Sequence, residues 1–316
     1  MAEPLAPLPT EQEDRRPLLG YAMVWTAATL FAVNGTVAKV VLESGISSLE
    51  LTQVRSTGAA LGFALVLLVT APRKLRVGRR ELPFLVVFGI TGVAFVQWLY
   101  FVSIHRLPIG IALLIEYLAP LVVALYVRVV VGRPVRRRIW AALALALAGL
   151  ALVVEVWSEG LVLDGLGLAA ALAAAVAYAA YILMAERGVT RRDPVSLSCY
   201  GFLFAALFWL LVQPLWSFPA ERLDESVSLL GNLETVSLPV SLLMLFVVVV
   251  GTMTTFGLVV SALRHISATR VAIVATLEPV VASVVAWAWL GESLGTAQLT
   301  GGAVVLAGIV LAQTAR

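Results

Sequence analysis

The sequence predicts an all-α integral membrane protein of ten transmembrane helices, built as two inverted five-helix repeats around a central cavity. Three observations carry that prediction. Of the 316 residues, 61% are hydrophobic and 13% charged, whereas soluble domains carry about 25% charged residues. Ten stretches approach the roughly 20 apolar residues that cross a bilayer. One pattern also occurs twice, at an offset of 159 positions. Leu118 and Pro120 fall on Leu277 and Pro279, Val131-Gly132 on Leu290-Gly291, and Ala148-Gly149-Leu150 on Ala307-Gly308-Ile309. Each copy closes a block of five spans. Five is odd, so the second block enters the membrane the opposite way round from the first.

The expected spans run over 20–40, 50–70, 82–103, 107–127, 139–156, 164–184, 195–216, 239–262, 268–290 and 297–314. The fifth is short, and 103–107 is a very tight turn. Residues 1–17 are Pro-rich and acidic and lack the basic start and cleavage site of a signal peptide. They are expected to form a disordered cytoplasmic tail. The first repeat is then 18–157 and the second 158–316. The longest loop, 217–238, has little apolar periodicity and is expected to be partly disordered or a short surface helix. The fifth and tenth spans are rich in small residues, among them Gly149, Gly301 and Gly308. Such residues permit close helix packing, so these spans are expected to be scaffold, or alternatively a dimer interface.

Orientation follows from charge. All of the 22 lysines and arginines except Lys39, Arg55, Arg106 and Arg222 fall on the side of the N-terminus. This is the positive-inside pattern. It predicts a multi-pass protein of the inner (plasma) membrane with both termini cytoplasmic. The high isoelectric point therefore reflects loop charge and not a nucleic-acid surface.

Ionisable residues inside spans are costly and mark function by default. Glu116 lies about nine residues into the fourth span and Glu278 about ten into the ninth, which puts both near the midplane. The two spans are equivalents in the repeat, but the carboxylates are not: Glu116 falls on Ala275, and Glu278 on Ala119. Each glutamate neighbours a proline, Pro120 or Pro279, expected to kink its helix and free a carbonyl one turn earlier. Polar backbone at that depth must face protein or water, so a hydrated cavity is expected beside the fourth and ninth spans. The structural alternative is a protonated Glu that satisfies the freed carbonyls. Asn34, Gln97, Trp98, Tyr178, Tyr181 and Thr255 are further candidates for lining this cavity. The threonines, Thr252, Thr254 and Thr255, more often bond their own helix. Arg55 lies about five residues into its span and is expected to snorkel outward, with binding of an anionic group as the weaker alternative.

Several functions lack their residues. No Gly-x-x-x-x-Gly-Lys-Ser/Thr, Gly-x-Ser-x-Gly or His-Glu-x-x-His occurs, so ATP hydrolysis and the commoner hydrolase mechanisms have no support. Cys199 is the single cysteine, which excludes an intramolecular disulfide. His105 and His265 hold corresponding places in oppositely oriented repeats and cannot share a metal. No enzyme activity, cofactor or metal is expected.

Both repeats resemble a known family, through three runs of sequence. In the second copy these are Ala262-Leu263-Arg264-His265-Ile266-Ser267-Ala268-Thr269-Arg270, Leu277-Glu278-Pro279-Val280 and Trp289-Leu290-Gly291-Glu292. They resemble the EamA domain of the drug/metabolite transporter superfamily. The first copy departs from it, with Leu118-Ala119-Pro120-Leu121 and with Arg133 where the second copy has Glu292. The resemblance covers about 18 to 315. It implies ten helices in two inverted repeats, a central cavity, and fifth and tenth helices outside it. Many bacterial members export amino acids or related metabolites, and Ile115-Glu116-Tyr117-Leu118-Ala119-Pro120 is similar to the threonine and homoserine exporter group. Glu278 matches a family-typical position, which points to a structural role. Glu116 does not, so it is the better candidate for specificity or coupling.

The expected function is secondary transport of a small polar metabolite by alternating access, with membrane lipid as its surroundings and a monomer or homodimer as its assembly. Burial favours the neutral form of a carboxyl group and an arriving cation favours the charged form, so Glu116 is expected to exchange a proton for an amino group. The rival readings are an exporter of hydrophobic drugs or lipid-linked substrates, and a non-transporting membrane scaffold or sensor.

Overall fold

The computed structural model describes residues 16–104, 106–107, 109–155, 157, 164–214, 218–291 and 295–314. The tail up to Arg15, His105, Glu159, Glu292 and Arg316 lie outside them. Among the described residues the chain forms ten helices. These are α1 (Pro17–Glu43), α2 (Ser48–Thr70), α3 (Leu82–Val87, Phe88–Ala94 and Phe95–Ile104 in succession), α4 (Ile109–Glu116 and Ala119–Val129), α5 (Arg137–Val153), α6 (Gly165–Arg191), α7 (Pro194–Val212), α8 (Val240–Ala262), α9 (Ala268–Leu290) and α10 (Thr296–Thr314). Eight are long and apolar enough to cross a membrane. The other two are α4, which is interrupted, and α5, whose 17 residues reach only the lower end of the spanning range.

Local chemistry explains where the helices begin. The hydroxyl of Ser47 accepts from the Glu50 N–H while the Glu50 carboxylate accepts from the Ser47 N–H, and this reciprocal cap opens α2. Asp164 caps α6 through the Gly167 N–H at 2.7 Å. Asp193 caps α7, where Pro194 takes the first helical position and needs no partner for a missing N–H. α6 runs seven residues past its expected end at 184. Its last turns are polar, yet they are held: the Glu186 carboxylate accepts from the Ala268 N–H at 2.8 Å, and Arg187 donates to the Tyr126 hydroxyl at 3.0 Å.

The helices pair in a pattern that survives exchange of the two halves. α1 packs on α8 and α9, while α6 packs on α3 and α4; α2 packs on α7, and α5 on α10. The α5–α10 seam is the tightest. A Cβ built on Gly149 would lie 2.6 Å from the Val305 nitrogen, and one on Gly301 would lie 2.6 Å from the Gly149 oxygen. Here backbone touches backbone, which only glycine permits. The small-residue faces offered as a dimer interface are therefore occupied by each other.

The loop after α7 is neither disordered nor simply helical. A single helical turn, Ala220–Asp224, leads into a two-stranded antiparallel hairpin, β1 (Ser226–Ser228) and β2 (Ser237–Pro239). The apolar residues that gave no helical period serve a strand instead. Val227, Leu229, Leu230 and Leu238 pack with Val37, Val40 and Val41 of α1 and with Leu243 and Val247 of α8. Two bonds dock the hairpin on the end of α9: Trp289 Nε1 donates to the Leu229 carbonyl at 2.7 Å, and Asn232 Nδ2 to the Ala288 carbonyl at 3.1 Å.

At the other end of the bundle, Arg192 fastens the α2–α3 connection to the α6–α7 junction. Its guanidinium donates to the carbonyls of Lys74 and Arg76 and to the Ser196 hydroxyl, pairs with Glu81 at 2.6 Å, and lies 5.2 Å from the centre of the Tyr200 ring. Lys74 pairs with Asp193 at 2.8 Å. Partial burial pushes the Asp193 carboxyl up. The hydrogen bond and charge of Lys74, with help from Arg264 and the Ser196 N–H, outweigh that and leave it below the usual carboxylate range. The pair therefore stabilises the fold at neutral pH. That contribution fades as pH falls past the ordinary carboxylate value and is gone below the depressed folded one. With Lys74 half exposed it amounts to no more than about 1 kcal/mol. Lys74→Met is expected to lower stability slightly at pH 7 and to match wild type once Asp193 is protonated. A series of melting curves between neutral and acid pH measures this.

Candidate functional site

α4 and α9 are both broken at equivalent places. The first half of α4 ends at Glu116, Tyr117 and Leu118 form a turn, and Ala119-Pro120 starts the second half. α9 stops at Ala275, turns at Thr276 and restarts at Leu277-Glu278-Pro279. Tyr117 and Thr276 are related by the same offset of 159. Each proline sits in the first turn of a new half-helix, where its missing N–H costs nothing locally. Each leaves a carbonyl one turn earlier without its helical partner, Glu116 in one case and Ala275 in the other. The helices are thus interrupted and not merely kinked. The Thr276 hydroxyl bonds back to the Ile273 carbonyl at 2.6 Å and seals part of its break.

The two breaks meet. The Tyr117 hydroxyl donates to the Glu278 carboxylate at 2.9 Å. Groups from four other helices act electrostatically on Glu278 or on its neighbour: Arg55 on α2, Tyr100 on α3, Glu116 on α4 and Tyr178 on α6. Side chains converging from so many helices lie inside the bundle. Arg55, Tyr100, Glu116, Tyr178 and Glu278 are nonetheless each only partly covered. The broken helices also place the two carboxylates in unlike fields. Glu278 is in the first turn of its half-helix, the positive end of the helix dipole. Glu116 is the last residue of its half, the negative end.

Arg55 does not snorkel. Its Nε donates to Thr252 Oγ1 at 3.1 Å, half-way along α8. Thr252 can accept because its own proton goes elsewhere, to the Val247 carbonyl five residues back at 2.8 Å. That five-residue reach belongs to a widened, π-type turn over Val249–Thr254. α3 has a matching widened turn over Phe88–Ala94. Such turns recur at functional sites. Each contains a glycine, Gly92 or Gly251, at the repeat offset. Each glycine receives a side chain from the first helix of the other half: Tyr181 of α6 lies over Gly92, and Asn34 of α1 over Gly251.

The remaining candidates divide. Tyr178 stacks on Tyr181 with ring centroids 6.3 Å apart, and Tyr181 on Phe88 at 5.5 Å. Tyr181 is buried beneath Tyr178, and its hydroxyl has no partner. Asn34 is buried beside the residue that holds Arg55, and its Oδ1 is unpartnered, as is Gln97 Oε1. Thr255 is fully buried and spends its hydroxyl on the Gly251 and Thr252 carbonyls of its own helix. Trp98 is 42% exposed and stands against Phe95. Tyr117 and Tyr100 were not singled out from the sequence, and Arg55 was expected to point outward. A signal for Arg55 was present: Thr52, Gln53 and Ser56 share its turns and are all buried, which marks that side of α2 as facing protein.

Residues 18–155 and 165–314 each match the EamA-like transporter family. The chain belongs to that family. As an EamA transporter it is a multi-pass membrane protein, not an enzyme, and acts on a small-molecule substrate. It is 29% identical over 264 residues to the threonine/homoserine exporter RhtA of Escherichia coli K12, covering 81% of this chain and 80% of that exporter. It is also 28% identical over 300 residues to an uncharacterized transporter of Archaeoglobus fulgidus, covering 93% of this chain and 96% of the relative. A solved crystal structure shares the EamA chain's fold with a TM-score of 0.75 at 18% identity, over 93% of this chain and 96% of the other. Within the EamA halves Glu116 belongs to the first and Glu278 to the second, and the Tyr117–Glu278 bond joins them.

Proposed function

We propose that this EamA protein is a secondary active transporter that exports an amino acid or a close derivative, with threonine and homoserine as leading candidates, in exchange for a proton. The observation that carries this reading is the convergence of Glu116, Tyr117, Glu278 and Arg55 at the facing breaks of α4 and α9. Acidic groups at membrane depth beside unpaired backbone suit a substrate with an ammonium group. The named function of the Escherichia coli relative adds weight.

In this reading the two halves, residues 18–157 and 158–316, are inverted repeats, with a central cavity between them. The exchange-symmetric helix pairing supports it. Both termini are cytoplasmic in this reading, which the excess of loop Lys and Arg on that side supports. Access alternates by rocking of the halves, with the α5–α10 seam as the fixed edge. Glu116, at the negative end of its half-helix, is the group that gives up its proton when the ammonium arrives. Glu278, held by Tyr117, stays as the permanent anion.

A thermal-shift screen of purified protein against amino acids, nucleosides and cationic drugs tests the substrate class. A ligand that binds only the folded state at one hundred times its Kd stabilises by about 2.7 kcal/mol. L-threonine or L-homoserine is expected to raise Tm by several degrees. Stabilisation by the drugs and by no amino acid would overturn the reading.

A further inference from the structure

Arg55 takes no part in the proton exchange just described, yet it is held with some care inside the bundle. Its Nε is engaged by Thr252. The two Nη groups make no hydrogen bond or ion pair with any described residue. Glu278 is close enough to feel the charge but lies beyond the 4.0 Å of an ion pair, and its recorded bond is to Tyr117. Glu116 has no hydrogen-bond partner among the described residues. The bundle interior therefore presents a guanidinium with its fork free and, near it, carboxylates with oxygens free.

A guanidinium fork matches a carboxylate with two parallel N–H···O bonds. Leaving it unpaired at this depth is costly, so its free end is best explained by a ligand. An acid without an ammonium group would meet Glu116 and Glu278, and an amine without a carboxylate would meet Arg55. Only a molecule bearing both charges satisfies both ends.

We propose that Arg55 is the specificity-determining residue for the substrate's carboxylate, and that Thr252 is the residue that positions it. The site then selects zwitterions, that is α-amino acids with both termini free. This rests on the amino-acid reading above and adds to it which group reads which end.

The test is binding of L-threonine, L-threonine methyl ester and N-acetyl-L-threonine to detergent-solubilised full-length protein, measured by thermal shift and by competition. In wild type, threonine is expected to bind at least tenfold better than either derivative. In Arg55→Gln the preference over the ester disappears, while the preference over the N-acetyl form persists. In Glu116→Gln the pattern reverses. Thr252→Val leaves the charge but not its anchor, and is expected to reduce the preference over the ester severalfold. It decides the matter if Arg55→Gln does not fold. An Arg55→Gln or Thr252→Val protein that keeps the full wild-type preference for the free carboxylate overturns the assignment to Arg55, with amino-acid binding intact. A wild type that binds no amino acid removes the amino-acid reading, and this assignment with it.

Discussion

Proteoliposomes carrying Glu116→Gln are expected to lose their response to a pH gradient. If one substrate molecule is exchanged for one proton, a gradient of one pH unit, about 1.4 kcal/mol, sustains roughly a tenfold substrate ratio across the membrane. Wild type should approach that ratio with L-threonine. Glu116→Gln has the same shape and can bond the same neighbours, but it has no proton to exchange. Its substrate ratio should settle near one whatever the gradient, while exchange of labelled for unlabelled substrate continues. The expectation depends on the position of Glu116 at the negative end of the first half of α4. Glu278→Gln makes a useful contrast. That carboxylate accepts the Tyr117 hydroxyl and sits at the positive end of its half-helix, so its loss should depress exchange and net transport together. A gradient-driven accumulation by Glu116→Gln equal to wild type would remove Glu116 from the coupling step.

Gly301→Val is expected to produce a large loss of stability. A Cβ at this position meets the Gly149 oxygen at 2.6 Å, Leu152 Cβ at 2.7 Å and the Val153 nitrogen at 2.7 Å. Two of the three are backbone atoms that cannot rotate away. Overpacking of side chains costs about 1–3 kcal/mol, and a backbone clash on this scale belongs at or above the top of that range. α5 and α10 would have to separate along their length. Melting of the detergent-solubilised variant should show a drop well beyond 5 °C or no folded protein. Gly165→Ala, where a Cβ meets nothing within 4 Å, is the control and should melt with wild type. Equal Tm values for Gly301→Val and wild type would mean the seam is not as tight as drawn.

The helices were legible in the sequence because lipid leaves few choices. Backbone groups at membrane depth must be bonded within the segment, so an apolar run of the right length is a helix, and the ten runs fall on the ten helices. The two glutamates were legible for the same reason, since an acid among apolar residues stands out. Arg55 was harder. Sequence places it near a membrane face, and snorkelling is the cheaper assumption. Only the widened turn in α8 brings Thr252 to meet it, and no residue in 249–254 announces that turn. Polarity and aromaticity say nothing of direction: Thr255 turns its hydroxyl to its own helix, and Trp98 is exposed beside Phe95. The hairpin was missed because three-residue strands are too short to carry a period.

The widened turns have a consequence for how this chain tolerates change. Successive residues of an α-helix are rotated by about 100°, and a π-type turn accommodates one residue more than a regular one. Deleting a single residue within Val249–Thr254 would restore an ordinary helix with every hydrogen bond intact. Because the widened turn absorbs that extra residue, Thr255–Ala262 would keep its facing, and only the turn itself would be lost. The same arithmetic holds for Phe88–Ala94 in α3. Backbone bonding alone would therefore accept the shorter helix. What stands against it is the pair of side chains lodged on Gly92 and Gly251, Tyr181 and Asn34, each supplied by the other half of the molecule. The width of these two turns is matched by side chains from across the bundle.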